Sequence, residues 1–130
     1  MSETAKHWLA FARQDLRMAE LALSEDIYNQ ACFHAQQCAE KAVKGYLEQL
    51  DPPPPRTHLM ADLLSHLPVD LLAPLEDALV ALDRFYIPTR YPDALPGTLF
   101  DGLPGRREAR EALLTARQTL ERIEELLQLD

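Results

Sequence analysis

Between residues 31 and 47 the chain reads ACFHAQQCAEKAVKGYL, and within it His34, Gln37, Lys41 and Lys44 step by three, four and three positions. On a helix that spacing stacks the side chains in one stripe. An imidazole, a carboxamide and two ammonium groups side by side can hold a phosphate. The lysines would act as point charges, and histidine is the side-chain type that titrates near neutral pH. A second cluster, FYIPTRYPD at 85–93, offers Arg90 as a rigid bidentate donor and Tyr91 as a stacking face for a base. Asp93 can close a turn after the extended Tyr91–Pro92 dipeptide. Asp15 falls on the inward face of the first helical pattern, between Ala12 and Ala19, where a carboxylate requires a partner. Lys41 and Arg90 are the cations in reach. Asp15, Gln37 and Asp93 therefore read as a structural polar network, and His34, Lys41, Lys44, Arg90 and Tyr91 as the ligand-binding set. His34 has no nucleophile paired with it in sequence, so no catalytic residue is assigned.

The elements that must position these groups are helices. Thr4 can cap a first helix to about Ser24, with Trp8, Ala12, Leu16, Ala19 and Leu23 on one face. Asp26 can cap a second helix that continues to about Leu50, where Asp51 and the four prolines at 52–55 stop it. Thr57 can cap a short third helix with Leu59, Leu63 and Leu67 inward. Pro68 and Asp70 separate it from a fourth that carries Leu72, Leu75, Leu79, Leu82 and Tyr86. Residues 88–105 hold four prolines and three glycines with no usable period, an irregular loop of the length that often carries function. The last helix opens near Arg106. Its apolar positions Ala109, Leu113, Ala116, Leu120, Ile123 and Leu127 step 4, 3, 4, 3, 4, a seam that packs on other long helices. The fold expected is all-α, an antiparallel up-and-down bundle of four to five helices in one domain spanning 1–130.

Composition removes several function classes. A formal charge of −8 disfavours broad nucleic-acid binding, although a local phosphate site of Lys41, Lys44, Arg84 and Arg90 is compatible with it. No apolar run approaches the roughly 20 residues of a membrane span, and the N-terminus lacks a signal-peptide pattern. A cytoplasmic location is the default expectation. Cys32 and Cys38 lie on one helix, about 240° and about 9 Å apart, which no disulfide spans. The four histidines form no metal-binding spacing, so neither metal nor cofactor is expected. Leu103, Leu113, Leu114, Leu126, Leu127 and Leu129 amount to more apolar surface than one seam buries, which predicts a homodimer or higher oligomer.

Taken in order, these residues resemble the HEPN domain. The resemblance rests on Trp8 and Asp15, then Tyr28, Ala31, Phe33, His34, Gln36, Gln37, Glu40, Lys41, Ala42, Lys44 and Leu47. It continues with Thr57, His58 and Leu59, and with Tyr86, Arg90, Tyr91, Pro92 and Asp93. It implies a four- to five-helix bundle, commonly homodimeric, presumed to bind nucleotide and often working beside a minimal nucleotidyltransferase in a toxin–antitoxin-like pair. Catalytic relatives in the wider superfamily are metal-independent ribonucleases with an Arg, four to six residues, then His. No arginine of this chain has a histidine at that distance. The resemblance thus favours a nucleotide- or partner-binding module, and the alternative is a ribonuclease toxin with a non-standard active site.

Overall fold

A computed structural model describes residues 1–50, 57–86 and 102–128. Among them the fold is an all-α bundle: α1 (Glu3–Ser24), α2 (Tyr28–Leu47), α3 (Met60–Ser65), α4 (Glu76–Ala81), which a 3-10 turn (Leu82–Phe85) prolongs, and α5 (Arg106–Gln128). None of these helices is long and apolar enough to cross a membrane.

The centre is α2, which packs against α1 on one side and α5 on another. Its inner residues are small (Ala31, Cys32, Ala35, Cys38, Ala39 and Ala42, all buried), so neighbouring backbones approach closely. Gly45 carries this furthest. A Cβ there would stand 3.2 Å from Leu9 Cδ2 and 3.4 Å from Trp8 Cβ. Gly45→Val should therefore push α1 off α2 and destabilise the fold by about 1–3 kcal/mol, read as a lowered thermal midpoint. The α5 seam is buried at all six positions read from the sequence, and Ala112 and Thr119 join it. Thr119 remains satisfied there because its hydroxyl donates to the Thr115 carbonyl at 2.8 Å.

Several helix ends differ from the sequence expectation. Ser2, not Thr4, caps α1, its Oγ accepting from Ala5 N at 3.1 Å. Asp26 does not cap α2. It takes a left-handed φ of 61° in the turn, and its side chain accepts from Tyr28 and Arg106, tying the start of α5 to the α1–α2 turn. α2 ends at Leu47, three residues early. Leu59 sits outside α3 and is exposed, whereas Met60 is buried, because Asp83 accepts from Met60 N with both oxygens (3.0 and 3.2 Å) and sets where α3 begins. The fourth helix starts late, leaving Leu72 buried in a turn. Tightening to the 3-10 form turns Phe85 into the core in place of Tyr86.

The six leucines expected to drive oligomerisation divide. Leu113 and Leu127 belong to the core and Leu126 packs against it, while Leu103 and Leu114 stay exposed and Leu129 lies outside the described residues. A single bundle buries more of the seam than the sequence suggested, because α5 contacts both long helices and α4.

Candidate functional site

The stripe on α2 divides into two carboxylate-centred clusters. In the first, Asp15 of α1 projects between His34 and Lys41, which lie two helical turns apart on α2. Asp15 Oδ1 is 2.9 Å from His34 Nδ1, and Lys41 Nζ donates to Oδ2. Phe33 stands edge-on to the His34 ring at 5.3 Å between centroids. Burial alone would raise the Asp15 pKa. The hydrogen bonds from His34 and Lys41, with their charges, outweigh burial and hold the carboxyl below its ordinary value.

In the second cluster the anion is Glu40, which is 4% exposed at its side chain. Lys44 donates to its Oε2 at 3.0 Å, and Gln36, fully buried, donates to Oε1 at 3.3 Å. Gln37 in turn donates to Gln36 Oε1 at 2.6 Å. His58, arriving from the segment before α3, places Nδ1 3.3 Å from Glu40 Oε2 and 3.4 Å from Lys44 Nζ. Lys44 also lies 5.2 Å over the Trp8 ring, so its charge faces a carboxylate on one side and an aromatic face on the other. Asp83 lies within charge reach of Glu40 and accepts from Met60 N at the start of α3. Burial, against the Met60 N–H and helped by the charge of Glu40, pushes its carboxyl above the usual range.

The chemistry available is that of two ammonium groups three residues apart, each anchored from beneath by a carboxylate that is itself nearly buried. Each Lys–carboxylate pair is neutral, and each carries a histidine on the same anion. Among the described residues no group of three metal-ligating side chains occurs. The thiols of Cys32 and Cys38 are buried and pushed up to about 12, which leaves them inert.

With the bundle and these clusters in place, comparison with known proteins is decisive. The HEPN domain matches residues 5–126. This chain belongs to the HEPN domain family. A Methanocaldococcus jannaschii protein named "Putative toxin MJ1304" is 28% identical over 134 residues, covering 95% of this chain and 88% of that one. The crystal structure of TT1696 from Thermus thermophilus superposes with a TM-score of 0.76 at 41% identity, covering 95% and 98% of the two chains. That of ST0689, an archaeal HEPN homologue, gives 0.73 at 35% identity, covering 96% and 98%.

Within this HEPN domain the structure places Asp15, His34 and Lys41 in one cluster and Gln37 and Lys44 in the other. Arg90, Tyr91 and Asp93 lie outside the described residues. The clusters also contain Gln36, Glu40, His58 and Asp83, to which the polar pattern of the sequence assigns no role. Gln36, Glu40 and Lys44 did carry a signal, an i, i+4, i+8 ladder of complementary groups along one helix edge. His58 was marked only by the family resemblance and Asp83 by nothing, since they reach Glu40 and Met60 only through the tertiary fold.

Proposed function

We propose that this HEPN protein is the binding member of a toxin–antitoxin-like pair, engaging a nucleotide and a minimal nucleotidyltransferase partner at the α2 stripe. The observation that carries the reading is the anchoring of Lys41 and Lys44. Their side chains are held by Asp15 and Glu40, so a phosphate arriving on the outer side meets cations whose freedom is already lost. His34 lies on the same carboxylate as Lys41, and to this set we add, on residue type alone, Arg90 as a planar fork and Tyr91 as a stacking face. The name of the M. jannaschii relative supports the toxin-like side of the proposal.

A thermal-shift screen of the purified chain against AMP, ADP, ATP and a nucleotidyltransferase encoded beside it tests the reading. A raised midpoint with a nucleotide, weakening with added salt, and co-elution with the transferase are the expected results. A midpoint indifferent to every nucleotide, with no co-elution, would contradict it.

Homodimerisation belongs to the same proposal. Phe11 and Met18, seven residues apart on one face of α1, are each about half exposed, and Leu114 on α5 is similarly open. Sedimentation at micromolar concentration should show a dimer that Phe11→Glu with Met18→Lys weakens. A monomer at all concentrations would remove this part.

A further inference from the structure

Of the two histidines in the carboxylate clusters His58 is the open one, 63% exposed at its side chain against 21% for His34. It is nevertheless held, at one edge and on one side. Its Nδ1 lies 3.3 Å from Glu40 Oε2 and 3.4 Å from Lys44 Nζ. Tyr86 stands against the ring at 5.6 Å between centroids, tilted by 43°. The groups that hold it are themselves fixed. Glu40 is nearly buried and accepts from Gln36, and Lys44 is enclosed between Glu40 and the Trp8 ring. Two residues after His58 the chain is pinned again, where Met60 N donates to both oxygens of Asp83. With Tyr86 on one side, the imidazole shows solvent a flat face whose orientation is set before anything arrives.

That face adjoins the cations of the α2 stripe. Lys44 meets the ring edge, and Lys41 lies one helical turn back, about 5–6 Å away at Cβ. A phosphate lying along Lys41 and Lys44 leaves the span of a ribose before His58, and what a ribose carries at that distance is a base. The Trp8 ring does not compete for it, because Lys44 already lies over that ring. We infer that the open face of His58 is the base platform of the stripe, so that the ligand is a nucleoside 5′-phosphate laid along α2 with its phosphate at Lys41 and Lys44 and its base on His58. The inference rests on the phosphate reading above and adds to it a residue that selects for the base. Stacking requires only a π-face, so every base is accepted, and the larger face of a purine binds more tightly than a pyrimidine.

The test titrates the full chain, His58→Ala and His58→Phe with AMP and with ribose 5-phosphate by calorimetry, and with the 5′-monophosphate of 2-aminopurine riboside by fluorescence. The wild type should bind AMP more tightly than ribose 5-phosphate and quench the 2-aminopurine, the signature of a stacked base. His58→Ala should weaken AMP about 5- to 150-fold, the range of one stacked base, and should leave ribose 5-phosphate unchanged. His58→Phe keeps an aromatic face without the ring nitrogens, and should retain most of the AMP affinity and the quenching. Circular dichroism should show all three proteins equally helical, since the ring is mostly in solvent. Equal affinity for AMP and ribose 5-phosphate without quenching would overturn the inference and leave the phosphate reading standing. A His58→Phe variant as weak as His58→Ala would also overturn it, because polar contacts rather than stacking would then hold the ligand. Binding of neither compound to the wild type would remove both readings together.

Discussion

Asp15→Ala should lower the unfolding free energy by about 3–5 kcal/mol, because it breaks a largely buried ion pair and strands its cation. Lys41 and His34 both direct their polar atoms at this one carboxylate, and Ala would leave an ammonium facing a gap between α1 and α2. Urea denaturation of the variant gives the number directly. Asp15→Ala combined with Lys41→Met should be less harmful than Asp15→Ala alone, since the charge that lost its partner is then gone. A single variant within about 1 kcal/mol of wild type would mean that the pair contributes as weakly as an exposed one. The same contact predicts an acid response. The Asp15 pKa is depressed on folding, so its contribution is complete above the ordinary value of 3.8 and fades as pH falls through the lower folded value. Stability should therefore drop more steeply in that acid window for the wild type than for Asp15→Asn.

The second large effect is expected at Glu40. Its carboxylate is shared by Lys44, Gln36 and His58, and the Lys44 side chain is only 13% exposed. Glu40→Ala removes the acceptor for a buried amide and the counter-charge for a nearly buried ammonium, which should cost about 3 kcal/mol. Glu40→Gln keeps an acceptor and the side-chain shape, and should cost roughly half as much. Chemical denaturation of the two variants side by side checks the order. Equal losses would show that the charge of Glu40 carries the whole effect and that its shape and a neutral acceptor contribute nothing.

Much of this molecule was legible because helices advertise themselves through period. The α5 seam, the alanine-rich inner face of α2 and the polar stripe beside it all follow from spacing alone. What was not legible depends on groups that meet across the fold. Asp83 decides where α3 begins, although it lies 23 residues away in sequence, so Thr57 and Leu59 looked like the natural start. Leu113 and Leu127 looked like surplus apolar surface because sequence cannot count how many neighbours one helix will touch. At the site, Asp15 was legible as an inward carboxylate. Its bond to His34 was not, since the facing of α1 on α2 fixes it. Glu40 entered only through the family resemblance, and its place at the centre of a cluster comes from His58 and the buried Gln36.

The central claim is that the α2 stripe is a phosphate site, and titration calorimetry of AMP, ADP and ATP into the wild type and into Lys44→Ala/Arg90→Ala tests it most directly. The wild type should bind with modest affinity that falls as salt is added, because charges rather than a glycine loop hold the phosphate. The double variant should keep its helical circular dichroism and lose the binding heat. Equal affinity in the two proteins, or no heat from either, would contradict the account.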